Sequence, residues 1–240
     1  MFVSAIILAA GKGLRLKSRV PKPLVKINSR PIIIYSLLTL SRHPLVSEII
    51  LVANSANKEA LIRTIKQYRI SKISAIVEGG RRRQDSVRCG LKRLSPETGL
   101  VLVHDGARPF VGKEEISAAI KEAQGTRAAV LGVPVKGTIK EVHSPSLGFA
   151  RDRQSMVHAK FIVKKTLDRK NLWEIQTPQV FARELILNAY RKFSRSDVTD
   201  DAALAEKMGA QVHIVPGSER NIKITTSEDL LVAKQLVKSK

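Results

Sequence analysis

The segment Leu8-Ala9-Ala10-Gly11-Lys12-Gly13-Leu14-Arg15, closed by Pro21-Lys22, joins small residues to cations. Gly11 and Gly13 let backbone N–H groups approach a phosphate closely, and Arg15 and Lys22 add positive charge. No Gly-Lys-Ser/Thr follows at P-loop spacing, and Leu16 stands where a dinucleotide fingerprint has its third glycine. A second cluster, Gly79-Gly80-Arg81-Arg82-Arg83-Gln84-Asp85-Ser86, precedes a helix expected to begin near Ser86. Glycines and arginines at a helix N-terminus make an anion site, although Ser86 as a plain N-cap explains the same spacing. In the third cluster, His104-Asp105-Gly106-Ala107-Arg108-Pro109, Asp105 directly follows an apolar run. It suits Mg²⁺ organisation beside phosphates, or an Asp–Arg pair closing a loop. Thr199-Asp200-Asp201-Ala202 reads as a helix start, and Asn221 to Thr225 as a strand carrying the exposed Lys223.

Elements that could position these clusters alternate along the chain. Apolar, β-branched runs at 3–9, 48–53, 72–77, 100–104, 128–133 and 211–215 predict strands covered on both faces. Helical spacing of apolar residues lies between and after them, as in Leu61/Ile65/Tyr68, Val87/Leu91/Leu94, Ile116/Ala119/Ile120/Ala123, Ile186/Ala189/Tyr190/Phe193 and Leu230/Ala233/Val237. The alternation predicts an α/β fold, a doubly wound, mostly parallel sheet in one domain spanning 1–240. Residues 136–174 break the pattern with an irregular, basic stretch, read as an arm inserted in that domain. In open α/β sheets ligands bind beyond the carboxyl ends of strands, where the first three clusters fall.

The net charge is +21, and the first 47 residues carry eight Lys/Arg and no acid. Such a surface attracts polyanions, either nucleic acid bound nonspecifically or small phosphorylated substrates. Aromatic residues at 4% are few for stacking single-stranded bases, and no zinc-finger or basic-zipper spacing appears. No apolar run approaches the roughly 20 residues of a membrane span, and the apolar start reads as a buried strand rather than a leader. The single cysteine, Cys89, excludes an internal disulfide and fits a reducing, cytoplasmic setting.

Taken together, the clusters resemble the 2-C-methyl-D-erythritol 4-phosphate cytidylyltransferase family. The likeness runs nearly the whole chain: Ala-Ala-Gly-x-Gly-x-Arg, Pro-Lys, Gly-Gly-x-x-Arg-x-x-Ser-Val, Val-His-Asp-x-Ala-Arg-Pro, Pro-Val-x-x-Thr-Ile-Lys, Gln176-Thr177-Pro178-Gln179, Thr-Asp-Asp-Ala and Asn-Ile-Lys-Ile-Thr. The resemblance implies a nucleotidyltransferase fold of Rossmann-like type, a homodimer with exchanged arms, and transfer of CMP from CTP to the acceptor phosphate in non-mevalonate isoprenoid precursor synthesis. It implies that Ala9, Ala10, Gly11, Gly80, Ser86 and Gly106 hold the cytidine end, with Gly13, Arg83 and Asp105 on the same nucleotide side. Arg15, Lys22 and Lys223 fall on the triphosphate and transition state. Asp105, Arg108, Thr177, Thr199 and Lys223 face the polyol phosphate, joined by Thr138 and Arg169 from a partner subunit. It also implies Mg²⁺ as the metal, near Asp105, with no residue assigned as its ligand. Departures from the family pattern are Gly137 for the usual Asp, Gly106 for Ala and Pro23 for Gln.

The implied reaction is in-line attack by the acceptor's phosphate oxygen on the α-phosphorus of CTP. The nucleophile is already an anion, so the obstacle is charge repulsion, which Mg²⁺, Arg15, Lys22 and Lys223 would offset. Another alditol phosphate, such as ribitol 5-phosphate, would suit the same chemistry. A basic nucleic-acid-binding protein is the reading from a different class.

Overall fold

The computed structural model describes residues 1–11, 13–16, 18, 20–143 and 161–238. The chain forms two compact units, one of residues 1–132 and 175–240, the other of residues 133–174.

The larger unit is built on β1 (Phe2–Leu8), whose five central residues are buried. A small β2 (Lys26–Ile27) and β3 (Arg30–Pro31) pair follows, then α1 (Ile32–Ser41), β4 (Glu48–Ala53), α2 (Lys58–Gln67), β5 (Ile73–Glu78), α3 (Arg83–Leu91), β6 (Thr98–Asp105), α4 (Lys113–Thr126) and β7 (Ala128–Pro134). The hairpin strands β8 (Lys140–His143) and β9 (Ile162–Thr166) belong to the smaller unit. The chain continues through β10 (Trp173–Ala182), α5 (Arg183–Lys192), α6 (Ala202–Lys207), β11 (His213–Pro216) and α7 (Ser227–Lys238). Seven strands make one sheet in the order β11-β7-β10-β6-β1-β4-β5. Its pairs are parallel at β1–β4, β1–β6, β4–β5 and β7–β11, while β10 runs antiparallel to β6.

Both faces of the sheet are covered. Ala5 and Ile7 of β1 pack with Ile33, Leu37, Leu61 and Ile120 of α1, α2 and α4. Ile6, pointing the other way as strand alternation requires, packs with Val87, Ile186 and Leu204 of α3, α5 and α6. Each such buried aliphatic side chain contributes roughly 1.5–3 kcal/mol. A third cluster, with Ile27, Ile32, Phe110, Ile224 and Ala233, anchors α7.

Three elements depart from the expected pattern. α1 reads as a continuous apolar run, Ile-Ile-Ile-Tyr-Ser-Leu-Leu, and shows no helical stripe because it is buried on most sides. β10 carries Gln176, Thr177, Pro178 and Gln179 mid-strand, a polar string that resembles a loop; their partners, described below, explain its burial. In the smaller unit, the expected irregular stretch contains an antiparallel hairpin, β8 with β9, extended by Leu167 N–H donating to Ile139 O and Val135 N–H donating to Leu172 O. The middle of the expected arm, 144–160, lies outside the described residues. Val142, Ile162 and Val163 on the hairpin are exposed. No described helix is long and apolar enough to cross a membrane.

Candidate active site

The parallel strands β1, β4, β5 and β6 end along one edge of the sheet, and their following loops surround a cavity of about 980 Å³. Ala9, Ala10 and Gly11 line it after β1, Asn54 to Ala56 after β4, Gly80 to Arg83 after β5, and Asp105 to Ala107 after β6. Ser86, Lys22 and Lys223 complete the part that concerns chemistry. Ten of the expected site residues therefore meet at one place: Ala9, Ala10, Gly11, Lys22, Gly80, Arg83, Ser86, Asp105, Gly106 and Lys223.

Asp105 is the charge centre. Its Oδ2 lies 2.5 Å from Lys223 Nζ and its Oδ1 3.2 Å from Arg83 Nε. Burial alone would raise its pKa, but Arg83, Lys223 and Arg108 outweigh that and hold the carboxyl well below the usual range. Arg83 also reaches Asp201, Nη1 to Oδ2 at 2.8 Å, and Asp201 accepts the Tyr190 hydroxyl. Burial works against the Arg83 charge, yet the two carboxylates raise its pKa further. Arg83 thus braces the site, tying α3 to β6 and α6.

Lys22 begins a short 3₁₀ turn, Lys22–Leu24, with Pro23 buried behind it. Burial first, then the neighbouring Lys223 charge, lowers its pKa to about 8, while Asp105 pulls the other way. Gly13 has φ +64, and a Cβ there would sit 2.6 Å from Lys22 Cβ, so glycine permits both the left-handed turn and the close approach. Arg15 is exposed on the adjacent turn, and its charge also lowers the Lys22 pKa. At Gly106 an added Cβ would meet Ile33 Cδ1 and lie 3.0 Å from Leu8 O, so an alanine here would require Ile33 of α1 to shift.

Behind Asp105 lies a buried relay. Thr177 Oγ1 accepts the Asp105 backbone N–H at 3.0 Å and sits 3.2 Å from His104 Nδ1. His104 Nε2 is 3.2 Å from Arg108 O, which can only accept, so Nε2 carries the ring proton and Nδ1 accepts the Thr177 hydroxyl. Burial presses the His104 pKa down to about 4. Arg108 is itself buried and donates from Nη1 to Asn221 O at 2.6 Å, which anchors the segment bearing Lys223. That segment is not the expected strand: it is irregular, and Ile224 N–H donates to Ala107 O at 2.9 Å.

Two expectations need correction in detail. α3 begins at Arg83 rather than near Ser86, because the Asp85 carboxylate accepts the Arg82 N–H at 3.1 Å and closes the turn earlier. Ser86 sits inside the helix, its hydroxyl 3.2 Å from Arg82 O, and is no N-cap. Thr199 is exposed on the loop before α6. Thr138 and Arg169 belong to the 133–174 unit, both exposed, with Arg169 Nη1 donating to Lys136 O. Gly137 has open space around it.

Sequence reasoning gave no role to Gln176 and Gln179. Gln179 accepts the N–H groups of Asp201 and Ala202 and donates to Asp200 at 2.8 Å. Gln176 donates to Ser218 O and accepts from Asn221 Nδ2. Each glutamine braces a loop of the site from within β10.

Among the described residues no group of three or more His, Cys, Asp or Glu side chains could hold a metal ion. The single carboxylate of Asp105 nevertheless fits Mg²⁺, which is commonly bound by one or two carboxylates together with substrate phosphates.

A cation-ringed cavity at the carboxyl edge of a doubly wound sheet, shaped by a small-residue loop, is the arrangement of a nucleotidyltransferase. The family model for 2-C-methyl-D-erythritol 4-phosphate cytidylyltransferase (IspD) matches residues 3–239, and the chain belongs to that family. The enzyme of that name from Syntrophus aciditrophicus is 43% identical over 239 residues, covering 98% of this chain and 96% of its own. Among solved structures, 4-diphosphocytidyl-2C-methyl-D-erythritol synthase of Anaerococcus prevotii superposes with a TM-score of 0.81 at 33% identity, covering 99% of this chain and 96% of that one. The 2-C-methyl-D-erythritol 4-phosphate cytidylyltransferase of Thermus thermophilus gives a TM-score of 0.75 at 27% identity, covering 99% and 100%.

Proposed function

We infer that this chain transfers CMP from CTP to 2-C-methyl-D-erythritol 4-phosphate, releasing pyrophosphate. The observation that carries the reading is the convergence of Lys22, Lys223 and Asp105 on one cavity beneath the Ala9–Gly11 loop. A phosphate oxygen of the acceptor attacks the α-phosphorus, the P–O bond to the β-phosphate breaks, and pyrophosphate takes the electron pair. No proton need be removed from the nucleophile. Lys22 and Lys223 offset the negative charge that crowds the α-phosphate, with Arg15 on the outgoing phosphates. Ala9, Ala10, Gly11, Gly80, Ser86 and Gly106 receive the cytidine, and Gly13 shapes the phosphate loop. Arg108 and Thr177 act on the acceptor side by fixing Asp105, with Thr199 at its edge. Asp105 would hold Mg²⁺ together with phosphate oxygens, and the ion would neutralise phosphate charge there. Thr138 and Arg169 serve the site of a second subunit in a homodimer, whose contacts the exposed apolar residues of the hairpin would supply. A cytoplasmic location accords with this substrate pair.

The test is pyrophosphate release from CTP, with Mg²⁺, against a panel of polyol phosphates. Turnover is expected with 2-C-methyl-D-erythritol 4-phosphate well above that with ribitol 5-phosphate or erythritol 4-phosphate. Turnover with another member and none with the first would reassign the acceptor. Equal turnover with ATP or GTP would remove the cytidylyl assignment.

A further inference from the structure

The loop that closes the cavity after β1 is held by two residues to which neither the motifs nor the mechanism gives a part. Asn54 and Asn57 follow β4, one lining the cavity and the other fully buried at the start of α2. Asn54 Nδ2 donates to Ala10 O at 2.9 Å, and Asn57 Nδ2 donates to Ala9 O at 2.9 Å. Their amide oxygens are engaged as well, and reciprocally. Asn57 Oδ1 accepts the Asn54 backbone N–H at 3.0 Å, and Asn54 Oδ1 accepts the Asn57 N–H at 2.9 Å. Each amide can therefore sit only one way round, since a flip would set oxygen against carbonyl and NH₂ against N–H. The dipeptide is pinned from two other directions. Ala9 N–H donates to Val52 O at 2.7 Å, and Ala10 Cβ is packed so closely on Gly79 that a Cβ there would meet it at 2.6 Å.

A trans peptide keeps its N–H and C=O on opposite sides. Fixing the carbonyls of Ala9 and Ala10 therefore fixes the N–H groups of Ala10 and Gly11, which point away from the two asparagines. We propose that Asn54 and Asn57 are positioning residues that set base selectivity, by locking Ala10 and Gly11 as hydrogen-bond donors toward the base. The proposal rests on the reading that the Ala9–Gly11 loop meets the cytosine. Cytosine offers acceptors at N3 and O2. Uracil carries a proton on N3, which would face a locked N–H donor and be refused. A loop free to rotate a peptide plane could offer a carbonyl instead and accept uracil.

The test uses Asn54→Ser and Asn57→Ser in the full chain. Serine keeps an oxygen for the partner's backbone N–H and suits the start of a helix, but lacks the amide donor. The kcat/KM is measured for CTP and for UTP at saturating polyol phosphate, together with KM for the acceptor and the thermal midpoint. The CTP-to-UTP ratio is expected to fall at least tenfold in both variants, chiefly through nucleotide KM, with acceptor KM within about twofold of wild type. A fall of less than threefold, or equal losses for both nucleotides, overturns the proposal. Should Asn57→Ser fail to fold, Asn54→Ser, at a half-buried loop position, decides alone. Wild-type protein inactive with CTP would instead refute the functional reading beneath the proposal, and this is read before any variant is compared.

Discussion

Lys223 and Asp105 form a direct ion pair, Nζ to Oδ2 at 2.5 Å, inside a cavity that also holds Lys22 and Arg83. One carboxylate thus stands among three cations. The surplus is positive, and it is directional: Asp105 holds Lys223 and Arg83 in place while Lys22 keeps a repulsive neighbour in Lys223. A polyanion entering the cavity relieves that repulsion, so the site stores an electrostatic preference for its ligand before the ligand arrives.

Lys22→Ala removes a cation that, unlike Lys223 and Arg83, makes no direct ion pair with Asp105. Its loss should cost about 2.7–4 kcal/mol of transition-state stabilisation, or roughly 10²–10³ in kcat. Steady-state kinetics read this directly, and a change below about threefold would take Lys22 out of the catalytic set.

The lowered pKa of Lys22 gives a proton signature. In the ligand-free protein the ammonium loses its proton around pH 8. A bound triphosphate favours the charged form, so CTP binding above pH 8 should draw in a proton, while binding at pH 7 should draw in almost none. Calorimetry of binding in buffers of different ionisation enthalpy measures the uptake, and its absence at pH 9 would contradict the lowered pKa. The sign for stability is consistent with this. The folded value lies below the unfolded 10.5, so the ligand-free protein gains stability from this group as pH rises from 8 to 10.5.

His104 predicts a separate loss at acid pH. Its folded value of about 4 lies below the ordinary 6.5, so the unfolded chain binds the proton first. The stability associated with the neutral ring is complete above 6.5 and is lost as pH falls toward 4. Buried His43, also lowered chiefly by burial, acts in the same sense. Urea unfolding at stepped pH should show a decline in that window, shallower in His104→Gln. The depressed Asp105 loses its contribution only below the ordinary carboxylate value of 3.8, outside it.

The homodimer reading makes Arg169 a residue of the other subunit's site. Lys22→Ala and Arg169→Ala chains, each inactive, are to be mixed under conditions of subunit exchange. A mixed dimer has one doubly defective site and one intact site. Random pairing makes half the dimers mixed, so about one quarter of wild-type activity should return by symmetry. No recovery despite verified mixed dimers would mean that Arg169 serves its own chain or no site at all.

Much of the fold could be read from residue order because the relevant signals are local. Continuous runs such as Ile49-Ile50-Leu51-Val52 announce a strand buried on both faces, and β4 falls on the expected residues. The first three clusters are legible because each follows a strand of the sheet, and their residues line one cavity at its carboxyl edge. α1 was not legible, since a helix buried on most sides has no polar face to set its period. β10 was not, because Gln176 and Gln179 are buried by loops distant in sequence, and their partners Asn221 and Asp201 cannot be inferred from composition. Asn54 and Asn57 carry the same lesson. Two asparagines after a strand look like an ordinary turn until the carbonyls of Ala9 and Ala10, more than forty residues earlier, are found against them.

In the sheet β7 lies beside β10, yet residues 135–172 separate them along the chain, so the two ends of the hairpin-bearing segment are neighbours about 4.8 Å apart. For an insertion rooted in this way, extra length is inexpensive in chain entropy. Doubling a flexible loop costs only about 0.6 kcal/mol, because the entropy of closing it grows with the logarithm of its length. Residues added or deleted between β8 and β9 should therefore leave the register of β6, β1 and β4, and with it the cavity at their ends, unaltered.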